Sequence, residues 1–454
     1  MSVIDFPKAS APAAMAPGSG ESRHPSHTEI ARHLAGEDRI LFNRGDFWQF
    51  QEHSGIWTLI PPEVIKKRVQ SVCEQIGAPA NAGRVNGTEA MAHSVYYQDV
   101  EWDATNPRAI CVQNGVLVYE AGKWELTPYE AEDYRRVSLP IDYDPDAECP
   151  LFTKFVQEIF AGAEEAKERT LALVELMGLT LTASTEFEKA ALLVGSGSNG
   201  KSVTLRLLAD MVGQYASGIN PSEFENRFQR ASLDGKLANI VTELPEGTTL
   251  PDGAIKAIIS GEACTVEHKH RDPFVMTPIC KIWLGTNHMP GTRDFSPALF
   301  RRFTVLGFPN RFAGPDEEPK PGDMLKDVRL SEKLRVEIPG ILNILLVALG
   351  HAFDRGYLTS PPSSVEAVNQ WKRDSDQVLT FLEEQMVQEP GAKITSAEAY
   401  SIYQQWARDA GMQRPVNRKS FTTRVELSKW AEIGKSTGGQ RCLYGIRQRL
   451  AGDL

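Results

Sequence analysis

Residues 195–202 read GSGSNGKS, and these eight residues satisfy two phosphate-binding patterns at once. Gly195, Gly197 and Gly200 fit G-x-G-x-x-G, the turn that admits a dinucleotide pyrophosphate to a helix N-terminus. Gly195, Gly200, Lys201 and Ser202 fit G-x-x-x-x-G-K-[ST], the triphosphate loop. Both rely on glycine, which lets backbone N–H groups face an anion at a helix start. The dinucleotide pattern also needs an acidic residue about 20 positions on, at the end of a second strand. That region reads YASGINPSEFEN, and its Glu223 falls in a turn-like stretch. The triphosphate pattern uses every residue. Gly195, Ser196, Gly197, Ser198, Asn199 and Gly200 form the cradle, Lys201 supplies a cation to the β- and γ-phosphates of ATP, and Ser202 offers a hydroxyl to Mg²⁺. AALLVG before the loop and SVTLRLLADMVGQY after it read as the flanking strand and helix.

Further apolar segments, LANIVTEL and CKIWLGTN, alternate with helices such as DGAIKAIISG, the pattern of a parallel sheet covered on both faces. The fold class is therefore α/β. Glu243, at the end of NIVTEL, is the candidate carboxylate for Mg²⁺ and the attacking water, with Glu246 three positions on as its partner. The competing reading is a solvated strand-end charge. Asn287 ends the CKIWLGTN strand, where an amide can reach the γ-phosphate; alone it would be an ordinary turn residue. His270-Arg271-Asp272 imitates the H-R-D of a protein kinase, but Thr277 stands where the Asn belongs and no D-F-G follows.

The chain of 454 residues divides by composition. Residues 1–30, rich in Ala, Pro, Ser and Gly, are expected to be a disordered tail. Residues 31–149 form a small α+β domain, in which Asn114-Gly115 and Ala121-Gly122 mark hairpin turns. Residues 150–345 hold the loop and its sheet, 346–373 are expected to be a linker, and 374–454 a last module. Helices are expected there near 374–388, 396–410 and 417–430, with two short strands around Thr437-Gly438-Gly439-Gln440. The six cysteines never form C-x-x-C, so neither a zinc site nor a disulfide framework is indicated. No apolar run reads as a membrane span and no secretory leader pattern opens the chain, so a cytoplasmic protein without membrane contact is expected. The net charge is −10, yet residues 391–450 carry eleven Lys and Arg against four Asp and Glu, a local +7 that leaves −17 elsewhere. A basic end on an acidic body is the asymmetry of a module that touches DNA.

In order, VQNGVLVYEAGKWELTPYEAEDY, LPIDYDPDAECP, GSGSNGKS, IVTELPEG, IKAIISGEACTVEHKHRDPFVMTP, GTNHMP and FSPALFRRFTVLGFP make the chain resemble the superfamily 3 helicases of the phage/plasmid and poxvirus-type primase-helicase family. The resemblance covers about residues 100 to 450. It implies an ATP-dependent DNA helicase for phage, prophage or plasmid replication, with an AAA+-like core over 150–345 and a winged-helix DNA-binding domain over 374–454. It also implies a homo-oligomeric ring, a hexamer, with a single strand in the channel and duplex at the C-terminal domain. Between the Glu and Asn strands the family carries a nucleic-acid hairpin, which TVEHKHRDPFVM can form with Lys269, His270 and Arg271 at its tip. Of the pair Arg301-Arg302, Arg302 resembles the arginine finger that reaches the next subunit's nucleotide. Arg418 and Lys419 open the helix expected to enter duplex DNA. Asp142 and Asp144 in IDYDPD read as turn formers rather than a metal pair. Too little chain precedes residue 150 for the primase domain of larger members, so a separate primase partner is expected. A protein loader that hydrolyses ATP without unwinding is the alternative function.

Overall fold

The computed structural model describes residues 25–36, 38–292, 297–412, 415–450 and 452–453. Its centre is a five-stranded, all-parallel sheet. Strand Phe303–Gly307 pairs with Ala190–Val194, which pairs with Lys281–Thr286, then Ala238–Val241, then Ala216–Ser217 at the far edge. Alternation along these strands sends successive side chains to opposite faces. Ala191, Leu193, Trp283 and Leu306 join a core with helices Pro150–Ile159, Ala166–Thr180, Lys201–Val212 and Ile338–Arg355. Ala190, Leu192, Ile282, Leu284 and Val305 join a second core with helix Asp252–Ser260 and Trp371. Both faces are thus covered, which is why Lys281–Thr286 is buried at every position.

The N-terminal part holds two antiparallel three-stranded sheets, Ile40–Asn43/Asp46–Gln51/Ile56–Ile60 and Ile110–Val112/Gly115–Glu120/Lys123–Thr127. Helices Pro62–Gln75 and Ala82–Val95 lie between them in sequence, and only the first is legible as an amphipathic run. The Ala121-Gly122 turn forms as expected, with Glu120 paired to Lys123, whereas the other hairpin turns one residue earlier than expected, at Gln113-Asn114, with Val112 paired to Gly115. The C-terminal part has helices Gln377–Gln385, Ser396–Asp409 and Arg418–Leu427 around Phe381, Tyr403 and Phe421. Strands Glu432–Lys435 and Arg441–Gln448 flank the expected turn, and a third strand, Met386–Thr395, completes an antiparallel sheet. That strand falls partly inside the helix expected at 374–388, because Pro390 and Gly391 do not favour helix.

Three expectations change. Of the tail 1–30, residues 1–24 lie outside the described residues, while His27–Ala31 form a helix closed by a Ser26–Glu29 capping box. The stretch 346–373 is mostly packed helix rather than linker: Trp371 is buried and its indole N–H donates to Pro290 O at 2.7 Å, and Ser364 Oγ accepts from Val305 N at 2.9 Å. Among the described residues one helix, Ile338–Arg355, is long and apolar enough to cross a membrane, and it was passed over because Asn343 and His351 interrupt it. Its inner face packs on Ala166–Thr180 so closely that a Cβ on Gly178 would stand 2.9 Å from Leu345 O.

Candidate active site

Strand Ala190–Val194 delivers the loop, and helix Lys201–Val212 receives it. Gly197 (φ 100°) and Gly200 (φ 93°) take left-handed conformations that side chains resist. At Gly195 a Cβ would come 2.1 Å from the Asn199 amide nitrogen and 2.9 Å from Phe308 O. The loop is tied to the neighbouring strand's end by Phe308 N donating to Val194 O at 2.8 Å and Phe312 N to Ser198 O at 2.7 Å.

Lys201, first residue of the helix, is only 6% exposed. Its Nζ donates to Gly195 O, to Asn199 Oδ1 at 3.3 Å and to Asn287 Oδ1 at 3.4 Å. Strand pairing makes this meeting possible, because Lys281–Thr286 lies directly beside the loop's own strand and delivers Asn287 one residue past its end. On the other side of that strand lies Ala238–Val241, so Glu243 emerges nearby. Leu244 N donates to Gly285 O at 2.8 Å, and Gly285 lacks room for a Cβ, which would meet Thr242 O at 2.4 Å. Burial pulls the Lys201 ammonium below the ordinary lysine range, and the Glu243 carboxylate opposes that pull. The loop, Lys201, Asn287 and Glu243 thus converge at the carboxyl ends of the strands, where open parallel sheets bind ligands.

Ser202 and Glu243 are both exposed. A hydroxyl and a carboxylate are hard oxygen donors that suit Mg²⁺, which fills its remaining positions with water and phosphate. Glu246 sits three residues further along an exposed turn.

The expected hairpin forms, with Cys264–Val266 antiparallel to Phe274–Met276. Its tip divides. Lys269 and His270 are exposed, whereas Arg271 Nη1 pairs with Asp46 Oδ2 at 2.8 Å. Arg44 lies over the Phe274 ring at 5.9 Å, and its guanidinium also stands 3.6 Å from Asp234. Sequence reasoning missed Arg44 and Asp46, and nothing local marks them, since Asp46 and Arg271 stand 225 positions apart.

Arg302 is held within its own chain. It is 6% exposed, its guanidinium donates to Ser260 Oγ (3.0 and 2.6 Å) and Ala298 O (2.6 Å), and it pairs with Glu188 at 3.0 Å. Arg301, with its side chain 64% exposed, points outward and shares the same carboxylate at 3.2 Å. The two lie in the turn between helix Pro297–Phe300 and strand Phe303–Gly307, which sends one guanidinium inward and the other to solvent. Arg302 O accepts from Ala190 N at 2.7 Å, so the pair sits where the strands begin, opposite the loop.

In the C-terminal part Asn417 caps its helix by accepting from Ser420 N at 2.9 Å. Arg418 and Lys419 are exposed in its first turn, as are Lys435 and Arg441 beside the turn between the last two strands. Thr422, on the same helix, is buried against Ser396 (Oγ1–Oγ 3.2 Å). Among the described residues there is no group of three or more His, Cys, Asp and Glu side chains placed to hold a metal ion.

Three regions match known families: residues 27–161 one described as D5 N terminal like, 193–302 a family of unknown function (DUF5906), and 373–431 one described as poxvirus D5 protein-like. Among curated proteins the chain is similar to "Putative helicase 022R" of Frog virus 3 (isolate Goorha), 25% identical over 47% of this chain and 23% of that protein. It is also similar to "Putative helicase 121R" of Invertebrate iridescent virus 3, 22% identical over 80% of this chain and 42% of that protein. A third relative is "Putative helicase L207/L206" of Acanthamoeba polyphaga mimivirus, 22% identical over 72% and 36%. The chain spans less than half the length of each of these relatives. Two solved apo structures of the NrS-1 C terminal region share the fold at 11% identity, with TM-scores of 0.51 and 0.50, each covering 94% of this chain and all of the other. D5-type regions at both ends of the chain, viral relatives that extend across most of it and a shared overall fold together support a D5-like primase-helicase family.

Proposed function

We propose that this chain is a ring-forming, ATP-dependent DNA helicase that serves the replication of a phage, prophage or plasmid and moves along DNA as it hydrolyses ATP. The carrying observation is the convergence of Lys201, Asn199 and Asn287 at the loop, with Glu243 close enough to bias the lysine's charge. In this reading GSGSNGKS is a P-loop within an AAA+-like core, and Lys201 exchanges the Gly195 carbonyl for the β- and γ-phosphates. Mg²⁺ held by Ser202 and Glu243 supplies neutralising charge at the phosphates. Asn287 orients the attacking water from the neighbouring strand's end, and Glu243 takes its proton. Because such transition states need mainly positioning and charge, a second copy completes the site with an arginine, and the exposed Arg301 takes the role expected of Arg302.

DNA contacts follow exposure. Lys269 and His270 meet a single strand in the ring, joined by Arg271 once it leaves Asp46. The C-terminal helices and sheet act as a winged helix on duplex, with Arg418 and Lys419 at the recognition helix and Lys435 and Arg441 on the wing.

The test is DNA-stimulated ATP hydrolysis measured with strand displacement on a forked duplex and with subunit mass. Hydrolysis, displacement and a ring-sized mass are expected. Hydrolysis without displacement would replace the helicase with a loader, and no hydrolysis with DNA and Mg²⁺ present would remove the motor.

A further inference from the structure

Glu188 occupies an unusual place. It lies two residues before the loop's strand, in a turn closed by its own N–H donating to Thr185 O at 2.9 Å, and its φ is +47°. A non-glycine residue held there is uncommon, and such strain gathers where a side chain must be aimed. The carboxylate is aimed at two cations together. Arg302 Nη2 stands 3.0 Å from Glu188 Oε2 and Arg301 Nη2 3.2 Å from the same oxygen. Lys189 adds a third positive charge, its Nζ donating to Arg301 O at 2.6 Å. One carboxylate therefore faces two cations, with a third on the neighbouring Arg301 carbonyl, and the cluster keeps an excess of positive charge for an incoming anion.

The two arginines differ in freedom. Arg302 is locked by Ser260 and Ala298 inside the chain, whereas Arg301 keeps its guanidinium in solvent. The cluster and its own chain's loop lie at opposite ends of paired strands, about 13 Å apart for four residue steps before the loop is counted.

Resting on the proposed reading of a site shared between copies, we infer that Glu188 is the positioning residue for Arg301. Pinned by buried Arg302, its carboxylate holds the exposed guanidinium ready for the triphosphate bound to a second copy of this chain. An ion pair as exposed as Glu188–Arg301 is weak. A phosphate carrying more charge therefore displaces the carboxylate, and Glu188 stays with Arg302.

The test compares Glu188→Gln, Glu188→Asp, Arg301→Ala and Glu188→Gln/Arg301→Ala by steady-state ATP turnover with saturating DNA, with KM and subunit mass measured for each. Glu188→Gln should lower kcat by up to about 10²-fold, as expected when a reacting group is misplaced by around an ångström, and leave KM and mass unchanged. Glu188→Asp should recover part of kcat. The double variant should be no slower than Arg301→Ala, because both changes act through one guanidinium. If Glu188→Gln misfolds with Arg302 left unpaired, Glu188→Gln/Arg302→Gln removes both charges of the pair and should show the same kcat loss. A wild-type kcat in Glu188→Gln, or losses that multiply in the double variant, would overturn the assignment of Glu188 alone. Wild-type turnover in Arg301→Ala would overturn the shared site beneath it as well.

Discussion

Arg301→Ala and Arg302→Ala should separate stability from chemistry. Arg302 makes three hydrogen bonds to Ser260 and Ala298 and pairs with Glu188, all with its side chain 7% exposed. Removing one partner of a fully buried ion pair costs about 3–5 kcal/mol. Glu188 is 36% exposed and regains water when Arg302 is gone, so the cost falls to about 2–3 kcal/mol. In a cooperative unit of the central sheet's size this lowers the melting temperature by roughly 5–10 °C. Arg301, 64% exposed with one shared carboxylate, contributes about 0–1 kcal/mol. Turnover should run the other way. Arg301→Ala should lose about 10²-fold or more in kcat, since an arginine at a phosphoryl-transfer site is worth about 10³–10⁵-fold. The assay is calorimetric melting beside DNA-stimulated ATP hydrolysis at a temperature where both variants are folded. A stable Arg302→Ala protein with selectively lost turnover would refute the reasoning and restore Arg302 as the residue that reaches across.

Lys201→Ala should abolish ATP hydrolysis, by about 10²-fold or more, with the far-UV spectrum unchanged, because it removes the loop's only cation; near-normal turnover would end the loop's assignment. Lys281 is buried with its Nζ on the Thr182 and Ile279 carbonyls, and burial lowers its pKa to about 7. Between that value and the unfolded value of 10.5 the unfolded chain binds the extra proton, so stability rises with pH there. The stability of wild type relative to Lys281→Met should climb by up to about 1.4 kcal/mol per pH unit above pH 7, read by urea unfolding from pH 6.5 to 9; a pH-independent difference would contradict the shift. Arg418→Gln/Lys419→Gln should weaken duplex binding and flatten its salt dependence by about 2 in log–log slope. An unchanged slope in fluorescence anisotropy would give that helix another task.

The loop was legible because glycine spacing, Lys201 and Ser202 are contiguous and their chemistry is local. Glu243 and Asn287 were legible for a related reason: each ends an apolar strand, and parallel strands put their ends on one edge. Short apolar runs alternating with helices also announced the two-faced sheet. The supposed linker at 346–373 misled because Gly356 and Pro361-Pro362 read as a break in the chain, whereas the helices on both sides of that break are packed. Strand Met386–Thr395 was lost to the helical pattern before it.

What the sequence by itself determined, then, is the set of short-range signals: loop, strands, hairpin turns, caps and the charge of the C-terminal end. What only the tertiary structure decided is which of two adjacent arginines is buried, and that Arg271 meets Asp46 and Glu188 meets Arg301. Those outcomes depend on how the turn before strand Phe303–Gly307 packs against the rest of the chain, and on contacts between residues far apart in sequence. No local pattern encodes either.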